Sequence, residues 1–378
     1  MRTAIVSDLH LGAASSADLL ARSPFRQRLL KQLRGAERIV LLGDVIELRD
    51  RPLADALELS RPLFEGLRDV VPDAELVLVP GNHDYQLLEP WLQRRRLDPG
   101  RGELGLEQRI PPAGDAVGQL AAWAGADRMA LSYPGIWVRD DVYATHGHYL
   151  DCHLSTPTFE GLGVGALRRI TRTSDGGPHT PDAYERAVAP LYALLFALAQ
   201  GSRVNRSSGM RSPSIRAWQA LGGASGRARS VRGRVLGSTV VPGAVKLANR
   251  LGLGSFGTDL SLAQISRAGA RAMGETVERL GIDAAHVVFG HTHRRGPLPE
   301  DDTASTESDW IVGRTQLYNS GSWVYAPALL GGSGATSPYW PGTLVEVEDD
   351  GPPRRVELLA EHSEREVREL LSTPDGGE

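Results

Sequence analysis

The chain has 378 residues, 41% of them hydrophobic, and a formal net charge of −4, a composition that is ordinary for a globular protein. Its single cysteine, Cys152, excludes an intrachain disulfide framework and fits a reducing compartment. Residues 3–7 look like a strand rather than a signal-peptide core, and the longest apolar run (189–199) is shorter than the ~20 residues of a membrane span, so we expect a cytoplasmic protein.

The first 150 residues alternate short β-rich runs with helical patterns. Strands are predicted at 3–7, 38–42 and 75–79, and helices at 25–34, 53–70 and 85–96. This alternation is typical of an α/β sheet. A Pro- and Gly-rich segment over 97–118 predicts a loop, and closely spaced strands are predicted at 128–133, 135–139 and 142–146.

The composition changes after residue 151. The 73 residues from 186 to 258 contain eleven Lys or Arg and no Asp or Glu, and apolar residues recur there at helical spacing in places. We interpret 152–275 as a helical, Arg-rich insertion, a lid or cap, in a domain formed by 1–151 and 276–378. Strand-like sequence returns at 286–290, 315–319, 343–348 and 354–360, and a short helix is predicted at 363–371.

Polar clusters follow five of the predicted strands, at the point where each strand ends. In open α/β sheets, ligands bind beyond the carboxyl ends of the strands. Five strands would therefore deliver their polar side chains to one crevice. The clusters are Asp8 with His10, Gly43 with Asp44, Asn82 with His83 and Asp84, His146 with His148, and His291 with His293.

This mixture of side chains predicts a metal site. Imidazole nitrogens with carboxylate and amide oxygens suit Mn, Fe, Co or Zn, and the lack of cysteine ligands argues against a structural zinc site. Two carboxylates, one amide and at least four imidazoles are too many for one ion but suit two ions ~3.5–4 Å apart. Such a pair activates a bridging water for displacement at phosphorus.

The ordered motifs "DLH" (8–10), "GD" (43–44), "GNHD" (81–84), "HGH" (146–148) and "GHTH" (290–293) resemble those of the calcineurin-like metallophosphoesterase superfamily. The resemblance implies a four-layer α/β/β/α sandwich with a helical insertion, and two divalent metal ions, Mn first among them, with a metal-bridging hydroxide as nucleophile. Matched by motif, it implies a first metal bound by Asp8, His10 and His293, a second bound by Asn82, His146 and His291, and Asp44 bridging the two.

His83 has no metal in this scheme. The resemblance implies that it stabilises the transferring phosphoryl group or protonates the leaving oxygen, with Asp84 orienting its ring through a hydrogen bond. Gly81 would let the backbone approach the metals closely. For His148 three roles stay open: a contact with substrate, support of a ligand, or a surface position. The segment "NSGSW" (319–323) predicts a structural turn.

The substrate is less closely defined. The motif order and the helical interval resemble the UDP-2,3-diacylglucosamine hydrolases, although that family generally has Arg at the position of His83. We expect hydrolysis of a phosphodiester or pyrophosphate, in a lipid- or nucleotide-linked substrate. The insertion's arginines, Arg203 and Arg206 among them, would bind phosphate or attract an anionic substrate.

Two other functions compete with this hypothesis. A nuclease would use the basic insertion to follow a phosphate backbone, although the insertion has few aromatic residues to stack bases. A non-catalytic scaffold on the same fold is disfavoured because every expected ligand is present. The apolar faces of the insertion would pack on the core or contact an inner-membrane surface. The sequence predicts no oligomeric state.

Overall fold

The computed structural model describes residues 1–112, 114–154, 177–201, 262–301 and 308–373. The described residues form strands β1 (Thr3–Val6), β2 (Arg38–Leu42), β3 (Glu75–Val79), β4 (Glu107–Ile110), β5 (Met129–Arg139), β6 (Val142–Thr145), β7 (His286–Phe289), β8 (Arg295–Gly296), β9 (Ile311–Val312), β10 (Thr315–Ser320), β11 (Thr343–Val347) and β12 (Arg354–Glu357). They also form helices α1 (Ser23–Leu33), α2 (Leu53–Val70), α3 (Glu89–Leu97), α4 (Asp115–Ala124), α5 (Pro181–Gly201), α6 (Leu262–Leu280), α7 (Pro327–Leu330) and α8 (Glu364–Ser372).

The strands pair in the order β12-β11-β1-β2-β3-β5-β6-β7-β10-β8, with β4 on β5 and β9 on β10. Strand β5 belongs to two sheets at once. Its first residues (129–131) pair with β3, and residues 135–139 pair with β6. The long sheet therefore folds over at β5, so that a first sheet (β12 to β5) faces a second sheet (β5 to β8).

Side chains alternate between two apolar layers along the central strands. In β2, Ile39 and Leu41 pack with α1 and α2, whereas Val40 and Leu42 pack between the two sheets. In β7, Val288 faces the layer between the sheets and Val287 packs with α6 on the outer face. This period of two is that of strands buried on both faces. The fold is the predicted four-layer α/β/β/α sandwich.

Most predicted elements agree with the structure to within a few residues, but the predicted loop over 97–118 is wrong. It contains β4, and α4 begins within it at residue 115. Strand β4 is polar and half exposed, and it is a strand because it pairs with β5, which its sequence does not show. The runs at 128–133 and 135–139 form one strand, and α3 is preceded by a short 3-10 helix at Tyr85–Leu88.

The insertion is described at its two ends, where α5 and α6 lie. Helix α5 contains the apolar run and buries Tyr184, Val188 and Leu191 in the core, where the helix packs against the 3-10 helices Tyr85–Leu88 and His148–Cys152. Helix α6 continues across residue 275, and the boundaries of the insertion remain a prediction. None of the helices in the described part of the chain is long and apolar enough to cross a membrane.

Candidate metal centre

Three parallel strands of the first sheet bring their carboxyl ends together. Strands β1, β2 and β3 are neighbours and run in the same direction, so the loops that carry Asp8, Asp44 and Asn82 leave at one edge. The first two loops run side by side: Asp8 N donates to Gly43 O at 3.0 Å, and His10 N donates to Asp44 O at 2.8 Å. The backbone thus fixes the spacing of the ligands.

The second sheet supplies the remaining ligands at the same edge. His146 follows β6 and His291 follows β7, and these two strands are parallel neighbours. All seven predicted ligands lie close together, and His83 lies beside them. The carboxylates and imidazoles form three overlapping groups whose possible ligand atoms lie within 4.8 Å of one another: Asp8 with His10 and His293, His10 with Asp44 and His83, and Asp44 with His146 and His291. Asn82 lies beside the last of these groups, with its oxygen 3.1 Å from His146 Nε2.

Asp44 lies between the predicted ligands of the first metal (Asp8, His10 and His293) and those of the second (Asn82, His146 and His291); these two sets are the two halves of the ligand set. Its Oδ2 is 3.3 Å from His146 Nε2 and 3.6 Å from His10 Nε2. Burial alone would raise the pKa of Asp44, but the charges of His146 and His83 hold it well below its usual range. A carboxylate in this position fits a bridge between two cations.

Several imidazoles have one nitrogen held from outside the cluster, which leaves the other facing inward. His146 Nδ1 lies 3.0 Å from the carbonyl oxygen of Leu42, and His291 Nε2 lies 2.8 Å from Asp151 Oδ1. His10 Nδ1 lies 3.0 Å from Glu47 Oε2. Carboxylate or carbonyl partners of this kind commonly fix the tautomer and ring orientation of metal-binding histidines.

Two oxygens show that the residues fit a metal. Asp8 Oδ1 is buried and has no hydrogen-bond partner among the described residues, and it lies 3.4 Å from His293 Nε2. The Asn82 oxygen lies 3.1 Å from His146 Nε2 and from His291 Nδ1, and it also faces the Asp44 carboxylate. With neutral imidazoles all these atoms are acceptors, so a cation would satisfy them together.

The histidines respond to the crowded carboxylates. Burial alone would lower the pKa of His10, but its hydrogen bond to Glu47 and the charges of Asp44 and Glu47 raise it to about 9. Burial would likewise lower the pKa of His146, but the charge of Asp44 and a hydrogen bond to it outweigh burial and raise the pKa, again to about 9. The same carboxylates that favour a proton on these imidazoles would favour a divalent cation in its place.

Five of the ligands have a left-handed backbone: Asp8, His10, Asp44, His291 and His293 have φ between 47° and 66°. This region is uncommon for residues other than glycine. Such strain persists only where the surroundings impose it, and it is concentrated at functional sites. Because of this backbone conformation the chain bends sharply after each of these strands, and the side chains of the predicted ligands come close to one another.

Gly81 allows the close approach predicted for it. A Cβ there would lie 2.4 Å from Asp44 Oδ1 and 2.7 Å from the His146 ring.

The "NSGSW" segment makes hydrogen bonds to two of the loops that carry predicted ligands: Asn319 Nδ2 donates to Gly290 O at 2.8 Å, and Trp323 N donates to Asp8 O at 3.0 Å.

The proposed partner of His83 is corrected by the structure. The buried Asp84 carboxylate accepts hydrogen bonds from Gly81 N at 2.6 Å and from Val45 N at 2.8 Å, and among the described residues it has no hydrogen bond to the His83 ring. Glu47 contacts that ring instead, with Oε2 2.6 Å from His83 Nδ1. Asp84 points away because backbone amides of two loops converge on it.

Glu47 is a functional residue that the sequence analysis missed. Its Oε2 contacts both His10 and His83, and the two rings lie edge to face with centroids 4.6 Å apart. Burial raises the pKa of Glu47, but the charge of His83 and the hydrogen bonds to both histidines lower it far more. The sequence places Glu47 three residues after Asp44, but it does not show which way the side chain points.

His148 is buried, which excludes the surface role. Its Nε2 lies 3.1 Å from Tyr133 Oη, and its ring centroid is 5.7 Å from that of His146. Burial and the charges of His146 and His291 lower the pKa of His148 well below its usual value. Contact with substrate and support of a ligand both remain predictions for this ring.

An arginine outside the predicted set lies at the site. The Arg49 guanidinium nitrogens lie 3.1 and 3.3 Å from the Asn82 amide, and its carbon is 5.0 Å from the centre of the Tyr192 ring of α5. Arg203 and Arg206, the arginines predicted to bind substrate, lie outside the described residues.

A family model matches the first part of the chain. Residues 1–185 match the family model of calcineurin-like phosphoesterases. The match supports the superfamily predicted from the motifs and indicates metal-dependent hydrolysis of phosphate esters. It ends before His291 and His293, which the fold brings to the same centre. No curated protein matches the chain.

The role of Glu47 leads to a test. Glu47→Gln replaces an acceptor shared by two imidazoles with a neutral amide, so we expect manganese affinity to fall about 10–100-fold. Calorimetric titration of metal-free protein with Mn²⁺ measures this. Glu58→Gln, on the exposed face of α2, serves as the control and should bind as the wild type does. Unchanged affinity in the Glu47 variant would contradict the assignment.

Proposed function

We propose that this chain is a two-metal phosphoesterase that hydrolyses a phosphodiester or pyrophosphate bond. The observation that carries the proposal is the convergence of the seven predicted ligands at one edge of the fold, with the Asp44 carboxylate between the other six. The match of residues 1–185 to calcineurin-like phosphoesterases supports the same class of reaction.

Each half of the ligand set would hold one ion. Asp8, His10 and His293 would bind the first, and Asn82, His146 and His291 the second, with Asp44 shared between them. Mn²⁺ is the proposed metal because its preferences include both imidazole and oxygen ligands. When bound, a pair of such ions polarises phosphoryl oxygens and lowers the pKa of the attacking water.

His83 is the proposed acid of the reaction. Glu47 holds its Nδ1 at 2.6 Å, and this leaves Nε2, 3.9 Å from Asp44 Oδ2, to face the centre. The side chain retains 17% of its exposure, so a substrate can reach it. From this position it would donate a hydrogen bond to the phosphoryl group or protonate the leaving oxygen, and Glu47 would stabilise the charged imidazole.

Arg49 is the described arginine best placed to bind a substrate phosphate. The Arg49 guanidinium carbon lies 5.0 Å from the centre of the Tyr192 ring, and its nitrogens lie beside the Asn82 amide at the ligand set. A guanidinium at this position is suited to bidentate recognition of a phosphate. A second anionic group beside the cleaved bond fits a pyrophosphate or a nucleotide. The resemblance to UDP-2,3-diacylglucosamine hydrolases favours a lipid-linked pyrophosphate and contact with a membrane surface, whereas His83 in place of Arg separates the chain from those enzymes.

Phosphorus NMR of manganese-loaded protein tests the activity. The panel contains a lipid-linked pyrophosphate, a soluble nucleoside diphosphate sugar, a simple diester and a monoester. We expect cleavage of a diester or pyrophosphate, and none by Asp44→Ala, which loses the shared ligand and with it metal binding. If no compound is cleaved by the metal-loaded wild type, the proposal is wrong.

The role of His83 is tested separately from metal binding. His83→Ala should keep both ions, since the ring is assigned no metal, and should lose about 10²–10⁴-fold in kcat, the usual contribution of a general acid. Metal content by elemental analysis and turnover of the best substrate give the two readings. Full activity would remove the assignment, and His362→Ala, at an intermediate-exposure position in the loop before α8, is the matched control.

The role of Arg49 predicts a difference between substrates. Arg49→Ala should lower kcat/KM for a pyrophosphate substrate about 10–100-fold, the loss expected for a hydrogen bond between charged groups. A diester with one phosphorus should be affected less, and Arg49→Lys should restore only part of the loss. Arg61→Ala, on the exposed face of α2, is the control. An equal loss for both substrates would contradict a second phosphate site.

A further inference from the structure

A buried glutamate from the insertion accepts hydrogen bonds from three tyrosines. Glu185 lies on α5 and is 8% exposed. Tyr85 Oη donates to its Oε2 at 2.6 Å, Tyr149 Oη donates to its Oε1 at 2.6 Å, and Tyr133 Oη also donates to Oε1. A carboxylate has enough lone pairs for all three phenols, whereas a neutral amide has an acceptor oxygen on one side only.

The three tyrosines come from different elements of the phosphoesterase fold. Tyr85 follows the "GNHD" loop that carries Asn82. Tyr149 lies in the 3-10 helix His148–Cys152, which begins two residues after His146. The same short helix carries Asp151, which contacts His291. Glu185 therefore connects the insertion to the segments that supply or support all the unshared ligands of the second metal.

The third tyrosine extends the network to His148. Because the single proton of Tyr133 Oη goes to Glu185, the phenol oxygen must accept from His148 Nε2, which lies 3.1 Å away. This fixes the His148 tautomer with its proton on Nε2. His148 then packs as a neutral ring with its centroid 5.7 Å from that of His146.

The first half of the ligand set has other supports. Glu47 contacts His10, His291 N donates to Asp8 Oδ2 at 3.0 Å, and Asn319 braces the "GHTH" loop. Among the described residues, none of the hydrogen bonds to Glu185 comes from the loops of Asp8, His10 or His293. Glu47 thus contacts a predicted ligand of the first metal directly, whereas Glu185 accepts from the segments next to the ligands of the second.

We propose that Glu185 is a positioning residue for the second metal, so that the insertion is needed for the centre to hold two ions rather than one. The inference rests on the two-metal centre proposed above and adds a structural role for the insertion. Loss of Glu185 would leave three buried phenols without their acceptor, and the loops of Asn82 and His146 would move apart.

Manganese stoichiometry of the full-length protein tests this without an assay of activity. The wild type should bind two ions and give the electron paramagnetic resonance spectrum of a coupled pair. Glu185→Ala should keep one ion and bind the second about 10–100-fold more weakly, the usual effect of losing an outer partner of a ligand. At limiting Mn²⁺ its spectrum should change to that of isolated ions.

Milder variants and a control keep the result interpretable. Tyr149→Phe removes one hydroxyl and should weaken the second ion less than Glu185→Ala does; it also provides the test if the alanine variant does not fold. The control is Glu346→Gln, a buried glutamate on β11 that accepts from Gln32 at 2.9 Å and lies outside the ligand set. It should bind two ions with wild-type affinity.

The possible outcomes separate the two proposals. Two ions at unchanged affinity in folded Glu185→Ala and Tyr149→Phe would overturn the positioning role, and so would an equal loss of both ions. A wild type that binds a single ion would overturn the two-metal centre itself, and the inference with it.

Discussion

The position of the Asp44 carboxylate is the constraint on which the rest of the site depends. It must be reached by imidazoles from both sheets, and its Oδ2 lies 3.6 Å from His10 Nε2 and 3.3 Å from His146 Nε2. This requires the two sheets to end at one edge, which the shared strand β5 makes possible. The apolar side chains between the two sheets hold the sheets together, and the polar residues at their common edge lie beyond this layer.

This convergence requires an unfavourable backbone conformation in the loops after the strands. Five of the predicted ligands have a left-handed backbone, and the position of Gly81 has no room for a side chain because Asp44 and His146 lie against it. Charge is balanced by alternating carboxylates and imidazoles, so removal of one member leaves a buried partner uncompensated. Asp84 accepts hydrogen bonds from the backbone amides of two loops, Gly81 N and Val45 N, rather than from the His83 ring.

Three carboxylates outside the ligand set organise it. Glu47 serves His10 and His83, Asp151 serves His291, and Glu185 connects α5 to the loops of the second half. On the proposal for Glu185, helix α5 is part of the support of the centre. Tyr192 of the same helix places Arg49 beside Asn82, so one helix would support both a metal and the contact with substrate.

The sequence by itself determined the α/β class, most of the strands and the residues that gather at the centre. It could do so because strand periodicity and the polar residues after each strand are local features. The tertiary structure decided which side chain orients which ring. Glu47 and His83 are 36 residues apart, Tyr85 and Glu185 are 100 apart, and Asp151 and His291 are 140 apart. Such pairs depend on how distant loops meet, and a hydrogen bond between two side chains leaves no periodic pattern in the chain. The same reason explains β4, a polar segment that is a strand only because β5 lies beside it.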